Sequence, residues 1–206
     1  MKRFKRIVLG FLAAVIIAGA VNFAPMISRK TPAMQLYTYG DLPVYAEPKD
    51  AGEVEVLAEM IIESRTRITD ALKGGRSDDI EIIIYPDRKV LHRKTIGLAG
   101  MLLPDWYIGK NTKKHVLITS PANPGPAHQR ASIEKAAVHE YVHLMTDRQN
   151  KAMGYWLKEG FALYLADQKP SDEAIRANRG IAYEDFIQTN ALRFAEVGGY
   201  SLAYNL

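Results

Sequence analysis

"AAVHEYVHLM", residues 136–145, is the stretch on which the reading of this chain turns. It holds His139, Glu140 and His143 in the order H-E-x-x-H. On an α-helix, positions four apart lie one above the other on the same face. Two imidazoles so placed aim at one point about 2 Å from each nitrogen, the distance of zinc ligation. Glu140 points beside that pair, where a carboxylate reaches a water without itself becoming a ligand. The neighbours Ala136, Ala137, Val138, Val142, Leu144 and Met145 are apolar and mark a buried helix. Ionisable groups among such neighbours are costly unless paired or metal-bound. A motif of three specified residues also arises by chance, so the reading depends on a third ligand elsewhere.

No third histidine occurs downstream at the spacing of the H-E-x-x-H-x-x-G-x-x-H pattern. The chain instead continues into "YWLKEGFALYLADQ", residues 155–168. Glu159 is the sole acid between Trp156 and Ala166 and falls in the first turn of an otherwise apolar helix. Gly160 has no side chain, so two helices can approach closely there. The loop Asp147–Gly154 is long enough to fold this helix back against the first.

Together, "AAVHEYVHLM" and "YWLKEGFALYLA" resemble the gluzincin metallopeptidases. More narrowly they resemble the peptidase MA-like family, with its H-E-x-x-H…W-x-x-E-G-x-A pattern, over about residues 115–206. The resemblance implies a zincin-like fold, with an active-site helix followed by a glutamate-ligand helix. It implies Zn2+ as cofactor, with His139, His143 and Glu159 as its ligands and Glu140 as general base. It also implies a tyrosine at the start of a downstream helix as oxyanion donor. In "GGYSLAYNL" Tyr200 stands at that position, as this donor or as a packing aromatic. Substrate peptides of such proteins run along an edge strand, and "HVLIT" (115–119) is the expected edge. In thermolysin-like gluzincins an Asp four residues after the glutamate ligand orients a histidine. Leu163 occupies that position here, and Asp147 is the substitute candidate. Related chains continue beyond the tyrosine helix, so a short C-terminal subdomain is expected.

Working outward, "DIEIIIYP" (79–86) is a β-branched run closed by proline and reads as a buried strand. Before it, Val54, Leu57, Ile61, Ile68 and Leu72 recur near helical spacing, and Gly74-Gly75 ends that helix. "DRKVLHRKTIG" reads as a short helix, and residues 97–121 as a hairpin-like region. Helices at about 132–148 and 156–168 come next, then a break at Pro170-Ser171-Asp172, then short helices around Gly198-Gly199. Helices dominate a small mixed sheet, so the class is α+β, with the sheet packed on helices. His92, His115 and His128 read as surface or loop residues, and Trp106 and Trp156 as core aromatics.

The chain begins "MKRFKRIVLGFLAAVIIAGAVNFAP", a basic cluster followed by an apolar run to about Ala24. Residues 1–27 are therefore a signal peptide or an N-terminal membrane anchor. The run is near bilayer-spanning length, which favours the anchor; Ala18-Gly19-Ala20 offers a cleavage site after Ala20, which would make the protein secreted. Either way the remainder lies outside the cytoplasm, because the basic end stays inside. Residues 28–50 are Pro-bearing and read as a linker, leaving 51–206 as the metallopeptidase domain.

The 206 residues carry a net charge of +4, and Lys2, Arg3, Lys5 and Arg6 account for that many positive charges. The rest is near neutral, which excludes nucleic acid as a partner on charge. The absence of cysteine excludes disulfides, thiolate metal sites and a lipoprotein anchor. The expected activity is zinc-dependent hydrolysis of peptide bonds, with a peptide or protein substrate and a membrane tether as partners; oligomeric state is open. The rival expectation is a catalytically silent, membrane-tethered zinc-binding module that holds peptides at an edge strand. A third is a latent peptidase whose cleft is blocked by residues 25–50.

Overall fold

The structure is a computed structural model and describes residues 2–74, 78–102, 105–187 and 190–205. The apolar run after the basic cluster meets no proline before Pro25 and forms one helix, α1 (Lys2–Phe23). Its 22 residues extend about 33 Å at the α-helical rise. With the adjoining 3-10 turn, Arg3–Met26 has a mean hydropathy of 2.4 and none of it is buried in the domain. It is long and apolar enough to cross a membrane or to act as a signal sequence.

Residues 28–50 are not an irregular linker. They contain β1 (Gln35–Tyr39) and β2 (Leu42–Ala46), an antiparallel hairpin whose turn uses Gly40 at φ +57°. The prolines suggested a break because proline cannot donate to a ladder. Pro43 is accommodated because pairing of β2 with the next strand begins only at Val44. α2 (Gly52–Ala71) buries Val54, Leu57, Ile61 and Ile68, the residues of the helical repeat. Lys73 and Gly74 then turn left-handed and end it; Gly75 lies outside the described residues. β3 (Glu81–Tyr85) and α3 (Arg88–Ile96) come next, with Asp87 capping α3 through the Val90 amide at 2.9 Å. β4 (Gly109–Asn111) and β5 (His115–Thr119) close the hairpin-like region. α4 (Arg130–Gln149) carries H-E-x-x-H, and α5 (Tyr155–Leu165) carries Glu159. Four short helices complete the chain: α6 (Asp172–Ala177, capped by Ser171), α7 (Tyr183–Phe186), α8 (Ala191–Glu196) and α9 (Gly199–Ala203).

The five strands run in the order β1-β2-β3-β5-β4. β2, β3 and β5 are parallel, and the outer strands β1 and β4 are antiparallel to their neighbours. "HVLIT" is therefore an interior strand, not the edge. Its Val116, Leu117 and Ile118 are fully buried, as befits a strand covered on both faces. The edge beside α4 is the short, half-buried β4. On one face Val44, Ile82, Ile84, Val116 and Ile118 pack under α2 and α4, against residues such as Leu57, Ile61, Tyr141 and Val142. On the other, Ile83, Tyr85 and Leu117 meet Leu91 of α3. The mixed α+β class stands, with the sheet between helical layers. Because β1 and β2 are built into the side of the sheet away from β4, residues 35–46 do not lie across the H-E-x-x-H helix.

Two further expectations fail. His92 is not at the surface: it is 3% exposed, its Nδ1 is 3.0 Å from the Gly100 carbonyl and its Nε2 2.7 Å from that of Tyr107. Trp106 is not in the core; it is 46% exposed. Trp156 does pack, against Phe186 at 5.5 Å between ring centroids.

Candidate metal centre

α4 buries its apolar face beneath the sheet, which leaves His139, Glu140 and His143 directed toward α5 and β4. The imidazoles of His139 and His143 stack one turn apart, with ring centroids 4.5 Å apart and planes at 83°. Glu159, 5% exposed, reaches both: Oε2 lies 3.4 Å from His139 Nε2, and Oε1 lies 3.4 Å from His143 Nε2. Donors about 2.0–2.1 Å from a tetrahedral ion stand about 3.4 Å from one another, so the spacing matches a metal site. Among the described residues, His139, His143 and Glu159 are the group able to hold a metal ion, with one donor atom of each within 4.8 Å of the others. The helix periodicity that placed the two histidines on one face thus also gives the right reach, and α5 supplies the third ligand.

The electrostatics agree with a cation site. Burial by itself would raise the Glu159 carboxyl, but hydrogen bonding to His139 and His143 outweighs it and holds the group well below the usual carboxylate range. A buried, ionised carboxylate between two imidazole nitrogens is a donor set suited to a divalent ion.

His139 is oriented from behind by Gln168, whose Oε1 accepts from Nδ1 at 2.7 Å. Nε2 on the other side of the ring faces Glu159, and a neutral imidazole that donates from Nδ1 would offer this nitrogen to a metal ion. Gln168 gets there through a left-handed turn at Asp167 (φ +52°), closed by a bond from the Gln168 amide to the Leu163 carbonyl at 2.9 Å. Asp147 does not take this role. It binds Lys158 Nζ at 2.6 Å and Asn111 Nδ2 at 3.3 Å. Leu163 is buried in the cluster of Phe194 and Ala203.

Glu140 is not part of the ligand triangle. It faces β4 and accepts a hydrogen bond from the Asn111 backbone amide. Burial pushes its carboxyl up to about 7 against the pull of His139, and the charge of Glu159 adds to the rise. Gly109 makes room for it: a Cβ there would sit 2.9 Å from Glu140 Cγ and 3.1 Å from Oε1. Gly160 serves a different contact from the one expected. A Cβ on it would meet the Ala203 carbonyl at 2.6 Å, so it lets α9, not α4, approach α5.

That approach brings Tyr200 to the site. Its hydroxyl is 2.8 Å from that of Tyr155, and it lines the same cleft as His139, Glu140, His143 and Glu159. Burial, then the Glu159 charge, push the Tyr200 phenol up to about 12. Tyr155, one turn before Glu159 on α5, also hydrogen-bonds that carboxylate; burial, then Glu159, push its phenol up as well. The cleft holds about 520 Å3, a size typical of ligand sites. Sequence patterns do not single out Tyr155 or Gln168. Tyr155 lies at i−4 from Glu159, so helix spacing could have flagged it; nothing local signals that Gln168 turns back beneath His139. His115 pairs with Glu81 at 3.6 Å and His128 lies in the loop before α4, both away from the cleft.

No protein-family model matches this chain, and no curated protein matches it in sequence.

Proposed function

We propose that this protein is a zinc-dependent peptidase of the gluzincin type, acting outside the cytoplasmic membrane to which α1 tethers it. The observation that carries the reading is the convergence of His139, His143 and Glu159 at tetrahedral donor spacing, with Glu140 held beside them but outside the triangle. A zinc ion held there would supply Lewis-acid polarisation of a carbonyl and a more acidic water. His139 and His143 bind through Nε2 and Glu159 through its carboxylate. Gln168 keeps His139 in the tautomer that ligation needs. An extended peptide aligns with the outer side of β4, where backbone groups of Gly109 and Asn111 face away from β5. Glu140 accepts a proton from the attacking water and delivers it to the leaving amine nitrogen. Tyr200 donates its hydroxyl to the oxygen that gains negative charge, and Tyr155 holds that hydroxyl in place.

The test uses the full chain in detergent, loaded with zinc and assayed on a mixed peptide library. One zinc per chain and hydrolysis that falls about 10²–10⁴-fold in Glu140→Gln, with metal content unchanged, are the expected results. Zinc binding with cleavage that does not depend on Glu140 leaves only the silent binding module. No bound zinc in a folded protein removes the reading altogether.

A further inference from the structure

We propose that Ile27, Leu98, Leu102 and Trp106 form a membrane-seated rim of the cleft, resting on the bilayer surface beside the end of α1. The chain leaving α1 is not a loose tether. In the last turn of α1, Asn22 Oδ1 accepts from the Ala99 amide at 2.8 Å. Gly97, at φ +91°, packs so closely on that turn that a Cβ would lie 2.4 Å from the Asn22 carbonyl oxygen. Lys94 Nζ then donates to the carbonyls of Ser28 at 2.8 Å and Lys30 at 3.2 Å, and the Tyr85 hydroxyl donates to that of Arg29 at 2.8 Å. Residues 22–30 are thus fixed to α3 and to the 3-10 turn Leu98–Leu102. Any bilayer that surrounds α1 meets this turn as well.

The side chains presented there are those of a membrane interface. Leu102 is 89% exposed, Ile27 88%, Trp106 46% and Leu98 40%. Leu98 and Leu102 lie at opposite ends of one 3-10 turn, about 8 Å apart along its axis. Indole rings favour the headgroup level, where their apolar body and N–H are both satisfied. Lys30 is paired with Glu81 at 3.1 Å and Lys94 with the backbone carbonyls, while Arg29, two residues after Ile27, and the exposed Arg93 of α3 suit anionic headgroups. The bilayer is the occupant favoured over a second protein because α1, none of whose apolar stretch is buried in the domain, is long and apolar enough to cross a membrane and ends at this point. Trp106 also lines the cleft with His139, Glu140 and Tyr200. A rim seated in this way turns the cleft toward chains that lie along the membrane.

The inference rests on the retained-anchor part of the proposed function and not on hydrolysis. The cysteine-free chain allows single thiols to be placed at will. Full-length Leu102→Cys, Ile27→Cys, Val15→Cys and Thr66→Cys proteins are labelled with an environment-sensitive fluorophore and reconstituted in vesicles containing phosphatidylglycerol. Nitroxide-bearing lipids serve as quenchers. Val15 reports α1 itself, and Thr66 lies on α2, across the sheet from α3. Blue-shifted emission and lipid quenching at 102 and 27, several-fold stronger than at 66, are expected. Quenching at 15 with 102 as unquenched as 66 overturns the seated rim and leaves the anchor intact. Blue-shifted emission at 102 without lipid quenching means a protein partner and overturns it too. No quenching at 15 removes the anchor and the rim together.

Discussion

Two side chains near the candidate metal site, Gln168 and Tyr200, each have a separate readout. Gln168 acts on His139 alone, through one hydrogen bond. Gln168→Ala should weaken zinc binding about 10–100-fold in chelator competition, the usual cost of losing a ligand's hydrogen-bond partner. Tyr200 stands apart from the ligands and is held by Tyr155. Tyr200→Phe should lower kcat about 10²–10³-fold with little change in KM or zinc content, as expected for a donor felt only at the transition state. A loss confined to KM would make Tyr200 a packing residue. The histidines and Glu159 were legible from sequence because i/i+4 spacing and a lone acid on an apolar helix are local signals. Gln168 was not: its role depends on a left-handed turn at Asp167, a residue type that adopts such φ only occasionally.

At the scale of elements, β4 is a short strand with a large effect. It is three residues long, yet it forms the sheet edge beside α4 and supplies the Asn111 amide to Glu140. Gly109→Ala puts a methyl 2.9 Å from Glu140 Cγ, too close for both to stay in place. The expected result is a folded, zinc-loaded enzyme whose kcat/KM falls about 10²-fold, the scale of an ångström-sized misplacement. Unchanged kinetics would show that Glu140 moves freely and needs no such space. Sequence reading assigned the edge to β5 because its apolar run is the stronger strand signal. That strength is itself the mark of an interior strand, since both faces of "HVLIT" are covered. The hairpin of β1 and β2 was obscured for the opposite reason: prolines suppress the strand signal even where pairing tolerates them.

For the whole molecule, one surface cluster ties the sheet to the metal-site helix. Asp79, before β3, pairs with Lys114 before β5 at 2.8 Å and with Arg148 near the end of α4 at 3.0 Å. Hydrogen bonding from Lys114, aided by Arg148, holds its carboxyl below the usual range despite some desolvation. A carboxyl lowered in the folded state contributes stability above its unfolded value near 4, and that contribution is lost as pH falls through the folded value. Asp79→Asn should therefore lower Tm slightly at pH 7, with the difference closing as pH falls through the lowered folded value. Asparagine is the suitable replacement because residue 79 sits at φ +62°, which it tolerates. A difference that persists at acid pH would point to backbone strain instead.

The sequence by itself determined the α+β class, the apolar N-terminal helix, and the two helices that carry His139, His143 and Glu159, the group able to hold a metal ion. These are encoded by short-range periodicity, which a chain displays whatever it packs against. Tertiary structure alone decided which strand is the edge, that residues 35–46 belong to the sheet, and that Gln168 and Tyr155 support the site. It also decided that His92 is buried and that the last turn of α1 packs against Gly97 and Ala99. Each of these depends on contacts between residues far apart in the chain, made by turns, paired strands and close glycine approaches. "AAVHEYVHLM" names its two histidines by spacing, but the cleft around them exists only once α5, α9 and β4 have closed upon α4.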